Sequence, residues 1–113
     1  MKLPNADRAR VDREKIVEYL LSLAHPDGRS KAAFFARFGF RIEEWEALAV
    51  SLRNVGVSNQ VSGIVESAYG RRYTVDGPLS TPDGRTPLVR TVWIVESEAA
   101  PRLVTAYPLE QSS

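Results

Sequence analysis

The chain has 113 residues, no cysteine, and a net charge of +1 from 15 Lys and Arg against 14 Asp and Glu. Its composition is ordinary, 43% hydrophobic and 26% charged, which fits one globular domain and excludes collagen-like repeats, a coiled-coil rod and disorder as the dominant state. Without thiols there is no disulfide, thiolate zinc site or cysteine nucleophile, and no apolar run reaches the ~18 residues of a membrane span.

Residues 1–113 read as a single domain, with a helical part at about 12–56 and a sheet part at about 62–108. The polar stretch Met1 to Arg10 lacks the apolar core of a secretory signal, so a cytoplasmic location is expected. Asp12 can cap a first helix on which Ile16, Tyr19, Leu20 and Leu23 follow i, i+3, i+4, i+7 spacing. His25-Pro26-Asp27-Gly28 ends it with turn chemistry. A second helix is predicted from Ser30, a possible cap, to Phe38, with Phe34, Phe35 and Phe38 on one face and Gly39 as its left-handed end. A third runs from Glu43 to Val55, with Trp45, Leu48, Ala49 and Leu52 as its stripe and Gly56 closing it.

After Gly56 the apolar period changes from 3.6 to 2. Gly63–Ala68 and Arg72–Asp76 read as strands around a Tyr69-Gly70 turn, and Gly77 to Pro87 as a loop. Leu88–Glu96 is the strongest strand, with Val89, Thr91, Trp93 and Val95 on one face and Arg90, Val92 and Ile94 on the other. Ser97–Pro101 is a loop, Arg102–Tyr107 the last strand, and the end of the chain through Ser113 is expected to fray. Short links between strands favour an antiparallel meander. The expected architecture is α+β: two or three N-terminal helices on one face of a four-stranded antiparallel sheet.

His25 is the single histidine, and histidine is the side chain whose ordinary pKa lies nearest neutrality. It either exchanges protons at a turn or stacks beside Pro26 and bonds a helix-end carbonyl. Arg29, Ser30 and Lys31 place two cations and a hydroxyl at a helix start, where free N–H groups and the dipole favour a phosphate. The alternative is that the cations reach acidic groups on the first helix. Arg90, inside an apolar strand, either pairs with Glu66, Asp76 or Glu96 or grips a phosphate. Thr105 and Tyr107 share a strand face, and their hydroxyls could position a substrate. With one histidine and no compact carboxylate motif, neither a metal nor a cofactor is expected.

Five strings carry a resemblance: Leu3-Pro4-Asn5-Ala6-Asp7, Val11 to Lys15, His25 to Ala32, Val89 to Val95, and Pro101 to Pro108. Together they resemble a family of small bacterial domains of unknown function over nearly the whole chain. The helices-then-meander plan is also similar to the barnase–EndoU–colicin–RelE group of ribonuclease toxins, and the closing Leu-Val-Thr-Ala-Tyr-Pro resembles the final strand of several of them. That second resemblance implies RNA cleavage without metal, by a mixed set of side chains. On it, His25 is expected as general acid or base, Lys31 and Arg90 as phosphate holders, and Thr105 and Tyr107 as orienting groups. The chain departs from the group's strong positive charge. The competing expectation is a non-catalytic interaction domain that binds a neighbouring protein or antitoxin, with its polar residues scattered.

Overall fold

The computed structural model describes residues 1–96 and 99–109. The expected loop at 97–101 lies partly outside the described residues, and so does the expected fraying toward Ser113. A 3₁₀ turn at Ala6–Arg8 precedes α1, Arg13–Lys15, which continues as a π-helical turn over Ile16–Leu20. Helix α2 spans Arg29–Arg37, and a 3₁₀ turn at Ile42–Glu44 opens α3, Trp45–Ser58. Strands β1 Val61–Ser67, β2 Gly70–Pro78, β3 Leu88–Val95 and β4 Arg102–Pro108 follow. They form one antiparallel sheet in chain order, the α+β meander that the change of period predicts.

The first helix differs from its prediction. Ile16 and Leu20 are buried, yet Leu23 is 67% exposed. The Leu21 N–H bonds the Ile16 carbonyl at 2.8 Å, an i→i+5 contact. That wider turn breaks the 3.6-residue period, and the helix stops before Leu23 can join the stripe. Ser30 is not the cap of α2: Gly28 holds that place, and Ser30 is exposed in the first turn. Gly39, at φ 99°, is the left-handed residue expected after α2.

Gly56 does not close α3. It lies inside the helix, and a Cβ there would overlap Cζ2 of Trp93. The missing side chain makes room for the indole. Trp93 is fully buried with Val89 and Thr91, facing Phe35, Leu48 and Leu52 of the helices. Thr91 Oγ1 donates to the Val75 carbonyl at 2.8 Å and accepts from Trp93 Nε1 at 2.8 Å, so both polar groups are satisfied in the core. On the opposite face, Arg90 pairs across β4 with Tyr107, and Val92 with Thr105. Val92 and Ile94 are buried there too, so that face is only partly polar.

Val92 opposes Thr105 while Trp93 opposes Leu103, which leaves Val104 as an extra residue in β4. Such a bulge bends an edge strand and re-aims its side chains. The first ten residues run along the fold. The Met1 carbonyl accepts from the Val61 N–H at 2.7 Å, and Arg10 exchanges bonds of 2.9 and 3.1 Å with Pro101 and Leu103. Arg53 on α3 holds this segment, donating to the Ala9 and Asp7 carbonyls at 2.8 and 2.9 Å.

Candidate functional site

The bulge in β4, the π-turn and the loop before α2 meet at one edge of the sheet. Between them lies an open cleft of about 630 Å³, lined by Lys15, Glu18, Tyr19, His25, Asp27 and Thr105 together with Val104. Tyr19 is one of its walls, and four of its neighbours pack on it. Its hydroxyl meets Thr105 Oγ1 at 3.3 Å. The Nζ atoms of Lys15 and Lys31 each lie 5.2 Å from its ring centre. The His25 ring packs edge-on against it, centroids 4.9 Å apart. The half-buried phenol is driven up by desolvation. The Thr105 hydroxyl and the charges of Lys31 and Lys15 outweigh that, so its pKa falls below the ordinary phenol value.

The turn that presents His25 is built from its own backbone. Nδ1 of His25 accepts the N–H groups of Asp27 and Gly28 at 3.0 and 3.2 Å, and its carbonyl accepts those of Gly28 and Arg29. A backbone amide can only donate, so Nδ1 carries no proton and the neutral ring holds it on Nε2. His25 thus holds the turn that leads into α2 as well as forming a wall of the cleft; it bonds near a helix end, but to amides rather than to the expected carbonyl. Gly28 is forced here by contact: a Cβ would collide with the Tyr19 carbonyl oxygen.

Of the residues expected to act together, His25, Lys31 and Thr105 converge on Tyr19. Lys31 Nζ also donates to the Asp27 carbonyl at 3.2 Å, which anchors it beside the ring. Arg29 and Ser30 are exposed on the first turn of α2, and His25 already occupies the Gly28 and Arg29 amides. Arg90 does not line the cleft. Its guanidinium forks onto Asp76, with Nε and Nη2 at 2.8 and 2.9 Å from the two carboxylate oxygens. That pairing, helped by Tyr107, drives its pKa further up. Asp76 is therefore the partner among the three acidic residues that strand pairing allowed, and Tyr107 belongs to this group rather than to the cleft.

Sequence reasoning missed Tyr19, Lys15, Glu18 and Asp27. Tyr19 fits an apolar stripe, which hides a hydroxyl at its tip. The signal available was Lys15 four residues before Tyr19 on one helix face. Among the described residues, no three His, Asp or Glu side chains come together as a metal-ligand cluster, and no helix is long and apolar enough to cross a membrane.

A chain of the "Contact-dependent growth inhibition toxin - immunity protein complex from Klebsiella pneumoniae 342" is similar in structure. The TM-score is 0.70 at 16% identity, covering 95% of this chain and 98% of that one. At that identity the likeness shows a shared fold. No curated protein matches the sequence. A family model does match, over residues 2–110, and the chain belongs to the family it describes, the domain of unknown function DUF6883.

Proposed function

We propose that the domain is a metal-independent endoribonuclease of the toxin type. The observation that carries this reading is the convergence of Lys15, His25 and Thr105 on Tyr19 in one open cleft, with Lys31 against the same ring. RNA contains its own nucleophile, the ribose 2′-hydroxyl, so a site that cuts it needs only to orient that group, move a proton and hold the phosphate. Lys31 and Lys15 supply positive charge for the non-bridging oxygens. The Nε2–H of His25 offers a further donor, and Thr105 orients the substrate. Arg90, already paired with Asp76, is left to brace the sheet face with Tyr107. Glu18 and Asp27 on the rim keep the cleft from acting as a general polyanion trap, in keeping with a net charge of +1. The shared fold with a chain of a toxin–immunity complex supports a toxin-like or an immunity-protein-like role.

The experiment is incubation of purified protein with a mixed RNA pool in excess chelator. Cleavage leaving 2′,3′-cyclic phosphate ends is expected, and Lys31→Ala should slow it by on the order of 100-fold with the fold intact. If folded wild-type protein cuts no RNA in the pool, the nuclease reading fails.

A second reading has its own observation. Edge strand β1 leaves Ile64 and Val65 exposed, and Tyr69 stands exposed in the turn that follows. A sheet edge with exposed apolar side chains suits a protein partner. Inactivity of the wild-type protein would favour this non-catalytic interaction role.

A further inference from the structure

We infer that Tyr19, not His25, takes the proton from the attacking hydroxyl, and that His25 serves the site as a fixed donor held by its own turn. This inference rests on the nuclease reading and names the residue that performs its first step. A general base must offer a free lone pair toward the substrate. His25 has none to offer: its Nδ1 is occupied by two backbone amides and its Nε2 bears the proton. Turning the ring would break its two bonds to the turn before α2.

Tyr19 is placed differently. It lines the cleft, and it is the side chain that Lys15, Lys31, His25 and Thr105 all approach. Two ammonium groups from separate elements, α1 and α2, flank a single ring. That arrangement stabilises a phenolate and leaves the same cations near a phosphate brought to it. Glu18 and Asp27 also border the cleft and oppose the effect, but the phenol still lies below its ordinary range.

The step balances without any added reagent. The Tyr19 phenolate accepts the 2′-hydroxyl proton as O2′ bonds to phosphorus and the P–O5′ bond breaks. O5′ leaves with the electron pair and takes a proton from water. The hydroxide so formed removes the proton from Tyr19. The products are a 2′,3′-cyclic phosphate and a 5′-hydroxyl.

Single-turnover cleavage of one RNA oligonucleotide, followed from pH 5.5 to 9.5 in chelator, tests this. For wild-type protein the rate should climb steadily through pH 7 and 8 and flatten only as the phenol titrates. Tyr19→Phe should lose ~100-fold or more and lose the climb, yet bind the 2′-O-methyl version of the oligonucleotide as tightly as wild type. Thr105→Val removes a hydrogen bond that lowers the phenol, so it should move the climb to higher pH without abolishing it. His25→Asn keeps an oxygen that can accept the two amides. It should cost less than ~10-fold and preserve the shape of the profile. The inference is overturned if Tyr19→Phe retains the wild-type profile. It is also overturned if His25→Asn removes a rise centred in the ordinary histidine range near pH ~6.5. In both cases the wild-type protein still cuts RNA, so the nuclease reading stands. A wild-type protein that never cuts removes both.

Discussion

At the scale of single residues, the surface loop between β2 and β3 offers the clearest pH response. Asp83 accepts from the Arg85 guanidinium and backbone N–H and from Thr81 Oγ1. Hydrogen bonding to Arg85 is the main cause that holds its carboxyl at about 2, against an ordinary 3.8. A carboxylate whose folded pKa is depressed contributes its stabilisation above the unfolded value and loses it as pH falls through the folded one. The loop contacts should therefore be intact at pH 4 and weaken only as pH falls toward ~2. Carboxyl-carbon NMR should give Asp83 a midpoint near 2, moved up toward 3.8 in Arg85→Ala. An unmoved midpoint would show that Arg85 is not the cause. The candidate site has the same grain. The sequence pointed to His25, Lys31 and Thr105, because each is a chemically marked residue at a turn, a helix start or a strand. It did not point to Tyr19, whose spacing reads as core and whose neighbours come from residue 31 and residue 105. Nor could it tell which nitrogen of His25 faces the amides, since that depends on the turn's geometry.

At the scale of elements, alternation made β3 readable, and both of its faces lie where the pattern put them. The π-turn was not readable, because i→i+5 bonding leaves no mark in the residue types that i→i+4 would lack. Gly56 carries the sharper test. Helix propensity says that Gly→Ala inside a helix stabilises by ~1 kcal/mol. Packing says the reverse, since a methyl group there overlaps the Trp93 ring. Overpacking typically costs about 1–3 kcal/mol, so the contact should win. Urea titration of Gly56→Ala is expected to show net destabilisation; a gain would mean that the indole moves aside freely. Trp93→Ala, emptying a fully buried site, should cost on the order of 3–5 kcal/mol. A loss under about 1 kcal/mol would contradict its place against the helices.

At the scale of the whole molecule, Arg53 ties the N-terminal segment to α3 with two bonds to carbonyls, and that segment in turn touches both β1 and β4. Hydrogen bonds from a charged donor contribute about 1.5–3 kcal/mol each when well shielded and less when exposed. Arg53→Ala should therefore cost about 1–3 kcal/mol. Amide exchange should quicken at Leu103 and Val61, the two strand N–H groups that the segment caps. Protection unchanged at both would show that the segment holds without its clamp. Apart from β4, no strand pattern foretold this strap, because residues 3–10 have neither period and are ordered only by what they lie against.

The hydrogen bond between Tyr19 and Thr105 joins residues 86 positions apart. During synthesis at ~5–20 residues per second, the second partner is made roughly 4–17 s after the first. Until then the cleft has one wall, and its tyrosine has neither the threonine nor the bulged strand that orients it. On the nuclease reading, the nascent chain would lack a complete site while still on the ribosome that is making it. The cleft and the sheet are both complete only once β4 has been made.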